Sequence, residues 1–333
     1  MSEAPGWAGS TIGVLVMAYG SAAGPYDVER YYTDIRGGRR PSPEHLEDLK
    51  ARYAAIGNRF PLLETTRRQA EGLERELNAA TAGPRYRVYL GMKHSPPFIA
   101  DAVEEMRSDG IDLGIGLVLA PHWSGMSVET YIERVETALA DGGPEFMYVR
   151  QWYWHPRFVE FLASRVFDAL EKLPRGDRDK AAVIFSAHSL PTRALPDGTL
   201  RCKACDRCPE RCQYVAQLQR TADLVAAKLG LEDYLIAWQS AGRTNDPWWG
   251  PSVVEMIRDL AATGHRAVVV CPAGFVSDHL ETLYDLDIEA RRTAEEAGIR
   301  FERTEMPNDD PAFIGALSAL IRQHLSYEPA SSS

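Results

Sequence analysis

The chain has 333 residues, 45% of them hydrophobic, enough for one large or two ordinary domains with buried cores. Its 47 acidic against 37 basic residues give a net charge of -10, and no Lys/Arg run offsets it, which argues against nucleic acid or an anionic membrane as the main partner. The start, MSEAPGWAGS, has no basic or apolar targeting pattern, and no window reaches the length of a spanning helix, so the cytoplasm is the expected location.

In chain order, eight short β-branched runs stand out: IGVLVMA (12–18), YRVYLGM (86–92), LGIGLVLAP (113–121), FMYVRQW (146–152), AAVIFSA (181–187), DYLIAWQS (233–240), RAVVVCPA (266–273) and IRFERTE (299–305). Between them lie segments such as DAVEEMRSDG and SVETYIERVETALADG, with apolar residues every three to four positions and a closing Gly. This alternation predicts an α/β fold with parallel sheets covered by helices on both faces. Eight strands suit two Rossmann-like halves of four strands each. The expected boundaries are residues 10–172 for the first half and 173–327 for the second, which includes the cysteine segment 202–212. The tail 328–333 is expected to be disordered.

The halves also resemble each other in sequence. VLVMAYGS (14–21) lies over VIFSAHSL (183–190), and LAPHWSGMSVETY (119–131) over VCPAGFVSDHLETLY (270–284), which suggests an internal duplication. Tyr19, His188, His122 and the segment leading to Glu281 would then emerge at carboxyl ends of parallel strands, where open α/β sheets bind ligands.

DHLETLYDLDIEARR (278–292) spaces Glu281, Asp285 and Glu289 four apart, so a helix would line up their carboxylates. A solvated acidic face is one reading; a row of oxygen ligands for a divalent cation is the other. His188 in FSAHSLP has the same two readings, a hydrogen-bonded structural residue or an open metal ligand and proton acceptor. Four of the five cysteines fall in RCKACDRCPERC: Cys202, Cys205, Cys208 and Cys212 form C-x2-C-x2-C-x3-C, the spacing of bacterial ferredoxins. Reduced thiols so clustered read as metal ligands, for 2Fe-2S, 4Fe-4S or Zn2+. Cys271, alone in AVVVCP, reads as a buried strand residue.

These segments, with ERYYTDIRGGRRP, LKARYAAIG, LGMKHSPPFIADAVEEM, WQSAGRTNDPWWGP and EMPND, resemble the ferrochelatase family, most closely its soluble coproporphyrin members from Gram-positive bacteria. The resemblance runs from about residue 12 to 314 and implies a chelatase-type fold and insertion of Fe2+ into a porphyrin in heme biosynthesis, with release of two protons. Coproporphyrin III is the implied substrate; protoporphyrin IX, or cobalt insertion by a related chelatase, is the alternative. His188 and Glu281 match the family's metal-binding and pyrrole-deprotonating pair. Tyr19 matches a residue on the opposite face of the ring, and Arg36, Arg52, His94 and Tyr131 match further substrate contacts. Arg52 also belongs, with Asp285 and Glu289, to an outer hydrated-metal site. Gly37 departs from the pattern, because a second basic residue often stands there; Arg39 and Arg40 extend the basic segment beside it. The cysteine run sits where iron-sulfur-containing bacterial ferrochelatases carry an insert, which favours 2Fe-2S as the cofactor. A monomer with transient contacts to neighbouring heme-pathway enzymes is the implied state. Two other classes are disfavoured: an electron-transfer protein would need a cofactor fingerprint such as G-x-G-x-x-G, which is absent, and a carrier without turnover would not need the His188 and Glu281 pair.

Overall fold

The computed structural model describes residues 10–80, 83–203, 213–242 and 244–326. Its first half runs β1 (Thr11–Ala18), α1 (Val28–Ile35), α2 (Pro43–Ala55), α3 (Leu62–Leu77), β2 (Arg85–Met92), α4 (Ile99–Ser108), β3 (Leu113–Val118), α5 (Val128–Ala138) and β4 (Glu145–Val149). Then follow α6 (Pro156–Lys172), α7 (Arg175–Arg178), β5 (Ala181–His188), β6 (Thr192–Ala194), β7 (Leu200–Cys202), α8 (Gln213–Leu229), β8 (Tyr234–Gln239), α9 (Val253–Ala262) and β9 (Ala267–Cys271). A π-helix over Thr282–Ala290, α10 (Arg291–Glu296), β10 (Arg300–Arg303) and α11 (Pro311–Ser326) complete the described chain.

All eight expected strands form, in two four-stranded parallel sheets ordered β2-β1-β3-β4 and β10-β9-β5-β8. Numbered by appearance within its own half, each sheet has the order 2-1-3-4, so the likeness between VLVMAYGS and VIFSAHSL is a likeness between the central first strands, β1 and β5. Central strands of a parallel sheet are covered on both faces, which explains why β1 is buried from Ile12 to Ala18 and β9 throughout. Cys271 is accordingly buried on β9, and burial pushes its thiol up to about 12. The β6–β7 hairpin was not anticipated, since three-residue strands leave no periodicity to read.

The core crosses the boundary between the halves. Trp152 and Phe158 meet with ring centroids 4.7 Å apart, and Phe161 lies 5.9 Å from Phe313 of α11. Helix α6, which follows the first sheet in sequence, packs against β9, β10 and α8, while α11, the last helix, packs against α3 on the first sheet. Polar contacts reinforce the exchange: Gln69 of α3 donates to the carbonyls of Val276 and Asn308 at 3.0 and 2.8 Å, and Arg322 donates to Leu77 at 2.7 Å. No helix among the described residues is long and apolar enough to cross a membrane.

The carboxylate row stands on a π-helix rather than the expected α-helix. Backbone bonds from i to i+5 are rare outside functional sites. The wider turn still keeps residues four apart close together, and Arg291 and Thr293 return the chain to α geometry in α10. α1 and α2 pack across its outer side through Tyr31, Tyr53 and Leu283.

Candidate active site

A cavity of about 650 Å3 lies between the halves at the carboxyl ends of both sheets, where strand-end binding was expected. The first half contributes Tyr19, just beyond β1, Arg36 at the end of α1, Arg52 on α2, Lys93 beyond β2, and His122 and Tyr131 beyond β3. The second contributes His188 at the end of β5, Ser240 beyond β8, and His279, Glu281 and Asp285 beyond β9.

His188 and Glu281 face each other, Nε2 to Oε1, at 3.5 Å, each side chain 35% exposed. The His188 Nδ1 is turned onto the carbonyl of Ser189, which fixes the ring so that Nε2 meets the carboxylate. Tyr214 of α8 donates to the His188 carbonyl at 3.0 Å, bracing the strand end. Burial disfavours the imidazolium, but the Glu281 carboxylate and the Ser189 carbonyl outweigh it and push His188 up to about 9. Burial likewise works against a charged Glu281, yet His188 and His279 hold its carboxyl well below the usual range. At neutral pH the pair is therefore an imidazolium beside a carboxylate. His279 stands on the other oxygen, Nε2 to Oε2 at 3.5 Å, with Nδ1 on the Ser277 carbonyl at 2.9 Å.

Asp285 is one step deeper along the π-helix. Burial, with the Glu281 charge added, raises its pKa to about 6 against the lowering effect of Ser240, whose Oγ lies 2.5 Å away, and of Arg52 at 3.7 Å. Glu289 continues the row but does not line the cavity. Among the described residues, no group of three or more His, Cys, Asp or Glu stands close enough to hold a metal ion.

On the facing wall, burial and the nearby Glu281 raise the Tyr19 phenol far above its usual range, so it is neutral. Lys93 reaches between two rings, 5.8 Å from Tyr19 and 5.1 Å from Tyr131, and donates to Thr130 at 2.6 Å. Burial and Arg134 lower its pKa to about 8. His94, expected as a cleft residue, does not line the cavity. It is buried behind Tyr19, with ring centroids 4.6 Å apart, and its Nδ1 lies 2.7 Å from Asp34, so it braces the phenol from behind. His122 lines the cavity but is 2% exposed, its Nε2 on Thr221 at 2.9 Å.

Arg36 lines the cavity, and its Nε has no partner among the described residues. Arg39 and Arg40 do not line it; Arg40 is 85% exposed, 4.0 Å from Glu29. Gly37 and Gly38 have φ of 63° and 85°, the left-handed turn that ends α1, so a side chain at 37 would strain the backbone. Lys93, His279 and Ser240 were missed although they lie in quoted segments: Lys93 immediately precedes His94, and His279 stands two residues before Glu281. Of the cysteine run, Cys202 is buried at the end of β7 opposite Thr192; Cys205, Cys208 and Cys212 lie outside the described residues.

The chain as a whole has known relatives. The ferrochelatase family model matches residues 11–325. The chain belongs to the ferrochelatase family. The coproporphyrin III ferrochelatase of Anoxybacillus flavithermus is 45% identical over 319 residues, covering 95% of this chain and 97% of that protein. That of Bacillus subtilis is 43% identical over 316 residues, covering 94% and 98%. Among solved structures, SirB from Bacillus subtilis with Fe3+ superposes with a TM-score of 0.56 at 11% identity, covering 95% of this chain and 96% of SirB, a likeness of fold.

The electrostatics of the pair lead to a titration experiment. In NMR the His188 ring should remain protonated through neutral pH and lose its proton near 9. In Glu281→Gln the largest raising influence is gone while burial, opposed only by the Ser189 carbonyl and Asp285, remains, so the ring should titrate well below 9. An unshifted midpoint in that variant would show that Glu281 is not what holds the proton on His188.

Proposed function

We propose that this ferrochelatase inserts Fe2+ into coproporphyrin III, exchanging two pyrrole protons for the metal, with His188 and Glu281 as the pair that receives iron and protons. The observation that carries this reading is an imidazole and a carboxylate 3.5 Å apart, open to a cavity between two halves, with a neutral phenol on the facing wall. Near-full-length identity of 43–45% to coproporphyrin III ferrochelatases supports the choice of ring.

The residues divide the work by charge. Arg36, Arg52 and Lys93 supply cations around a ring that carries four propionates, which a chain of net charge -10 would otherwise repel. Tyr19, Tyr131 and neighbouring apolar side chains supply the walls. Binding of the ring's periphery offsets the roughly 1–5 kcal/mol needed to tilt a pyrrole and expose a nitrogen lone pair. Glu281, ionised, accepts the first pyrrole proton; the neutral acid no longer holds the His188 imidazolium, which gives its proton to solvent in the cavity, and the neutral imidazole then accepts the second. Ferrous iron competes with the His188 proton for Nε2, and once that proton is lost an imidazole with a carboxylate suits the ion in transit, because most of its coordination sphere stays open. Asp285 and Glu289, with Arg52 beside them, form the outer hydrated-metal site in this reading. Loss of the Asp285 proton, held at about pH 6, is coupled to cation binding there.

His188→Ala and Glu281→Gln should each abolish insertion while porphyrin affinity stays within about tenfold, or 1.4 kcal/mol. In contrast, Asp285→Ala and Glu289→Ala should raise the KM for Fe2+ more than they lower kcat. Near-normal turnover in the first two variants refutes the pair; an unchanged metal KM in the last two leaves the row with a structural role only. Offering coproporphyrin and protoporphyrin, and cobalt beside iron, in one assay decides the substrate.

We also propose that Cys202, Cys205, Cys208 and Cys212 hold an iron-sulfur cluster, in the 2Fe-2S form. The ferredoxin-type spacing supports it. Buried Cys202 ends β7, 14 residues beyond His188, so such a centre would brace the segment that leads on from the catalytic strand. Iron-sulfur centres supply electron transfer or structural cross-linking, and metal insertion uses no electrons. The purified protein should therefore be reddish brown and bleach with dithionite. His188→Ala should keep the colour and lose insertion, whereas Cys205→Ser should lose the colour. A colourless anaerobic preparation with stoichiometric zinc defeats the assignment.

A further inference from the structure

Gln239 ends β8 directly beside His188, its partner in the parallel register with β5. Its side chain does not line the cavity, and the residue is 5% exposed. Yet it contacts the backbone or side chains around both members of the catalytic pair. Its main-chain carbonyl accepts from the Ser189 N–H at 2.7 Å, its Oε1 accepts from Ser186 Oγ at 2.9 Å, and its Nε2 donates to the carbonyl of Glu281 at 3.3 Å.

The orientation of this amide follows from its partners. A main-chain carbonyl only accepts, so the NH2 end must face Glu281, and the fully buried Ser186 hydroxyl must then donate to the oxygen end. Ser186 thus keeps the amide from flipping, and the amide ties the start of the π-helix to the strand that ends in His188. Glu281 lies outside both sheets, as the residue before the π-helix, so this bond is a direct tie between its backbone and the second sheet.

We propose that Ser186 and Gln239 are positioning residues that set the spacing between His188 and Glu281. The proposal rests on the reading of that pair as the site of insertion. Misplacement of reacting groups by about 1 Å can cost a hundredfold in rate, whereas substrate binding elsewhere in the cavity is left intact. Loss of these residues therefore lowers kcat and spares KM.

The test is steady-state insertion of Fe2+ into coproporphyrin III by Gln239→Met, which keeps length and burial, by Ser186→Ala, by the double variant and by His188→Ala. Gln239→Met should lower kcat about tenfold with both KM values within about twofold, and the double variant should be no slower than Gln239→Met, because Ser186 acts only through the amide. A kcat loss below about threefold in Gln239→Met, a porphyrin KM that rises in step with the loss of kcat, or losses that multiply in the double variant each overturn the proposal. If Gln239→Met does not fold, Ser186→Ala decides it, with a kcat loss of about threefold or more expected and a smaller loss overturning it. Normal turnover by His188→Ala would remove the underlying reading. Full loss there with unchanged Ser186→Ala and Gln239→Met would remove the positioning proposal alone.

Discussion

A carboxylate that stays ionised while largely withdrawn from water needs a counter-charge, and His188 is that counter-charge for Glu281. Much of the surrounding architecture exists to keep these two groups at one distance. His188 is delivered by a strand whose own sheet fixes it, Glu281 by a helix start that no sheet holds. Tyr214 on one carbonyl and Gln239 on the other bring two differently supported backbones into one frame. The charge also reaches across the cavity, where it helps to keep Tyr19 neutral, and along the π-helix, where it helps to raise the pKa of Asp285.

The two walls of the cavity differ in their mix of charges. Glu281 and Asp285 lie on the second half beside His188, Arg36, Arg52 and Lys93 on the first together with Asp48, and Arg52 stands between carboxylates of both halves, 3.3 Å from Asp48 and 3.7 Å from Asp285. A duplicated fold whose copies carry different charges can present a planar ligand with anionic side chains and a divalent cation to different surfaces of one cleft. The shared 2-1-3-4 strand order supplies the symmetry, and the loops after each strand break it.

The sheets were legible because a parallel strand buried on both faces must be apolar throughout, as IGVLVMA and AVVVC are. His188 and Glu281 were legible because they follow such runs and sit in distinctive motifs. The π-helix was not, since its sequence TLYDLDIEA carries the same spacing of carboxylates that an α-helix would show. Lys93 and His279 were passed over because each adjoins a residue with a louder signal. His94 was read as a cleft contact, but position after a strand does not tell whether a ring faces the ligand or supports the one that does. Gln239 lies in a quoted segment, as the Q of WQS, but its hydrogen bonds run to residues 53 and 42 positions away, which no local pattern can show.

The exchange of helices between the halves has a mechanical consequence. Because α6 covers the second sheet and α11 leans on α3 of the first, the two sheets are laced together at their back, and rotating one against the other would pull both helices off their apolar beds. A hinge of the kind that opens many two-lobed binding proteins is thus locked. Helices α1 and α2 sit outside this lacing and meet the π-helix through a small apolar cluster of their own, while the π-helix itself is rooted in the core of the second sheet by Leu286 and Ala290. The spine of the cleft is thus a shared one, each sheet backed by a helix that the other half of the chain supplies or supports.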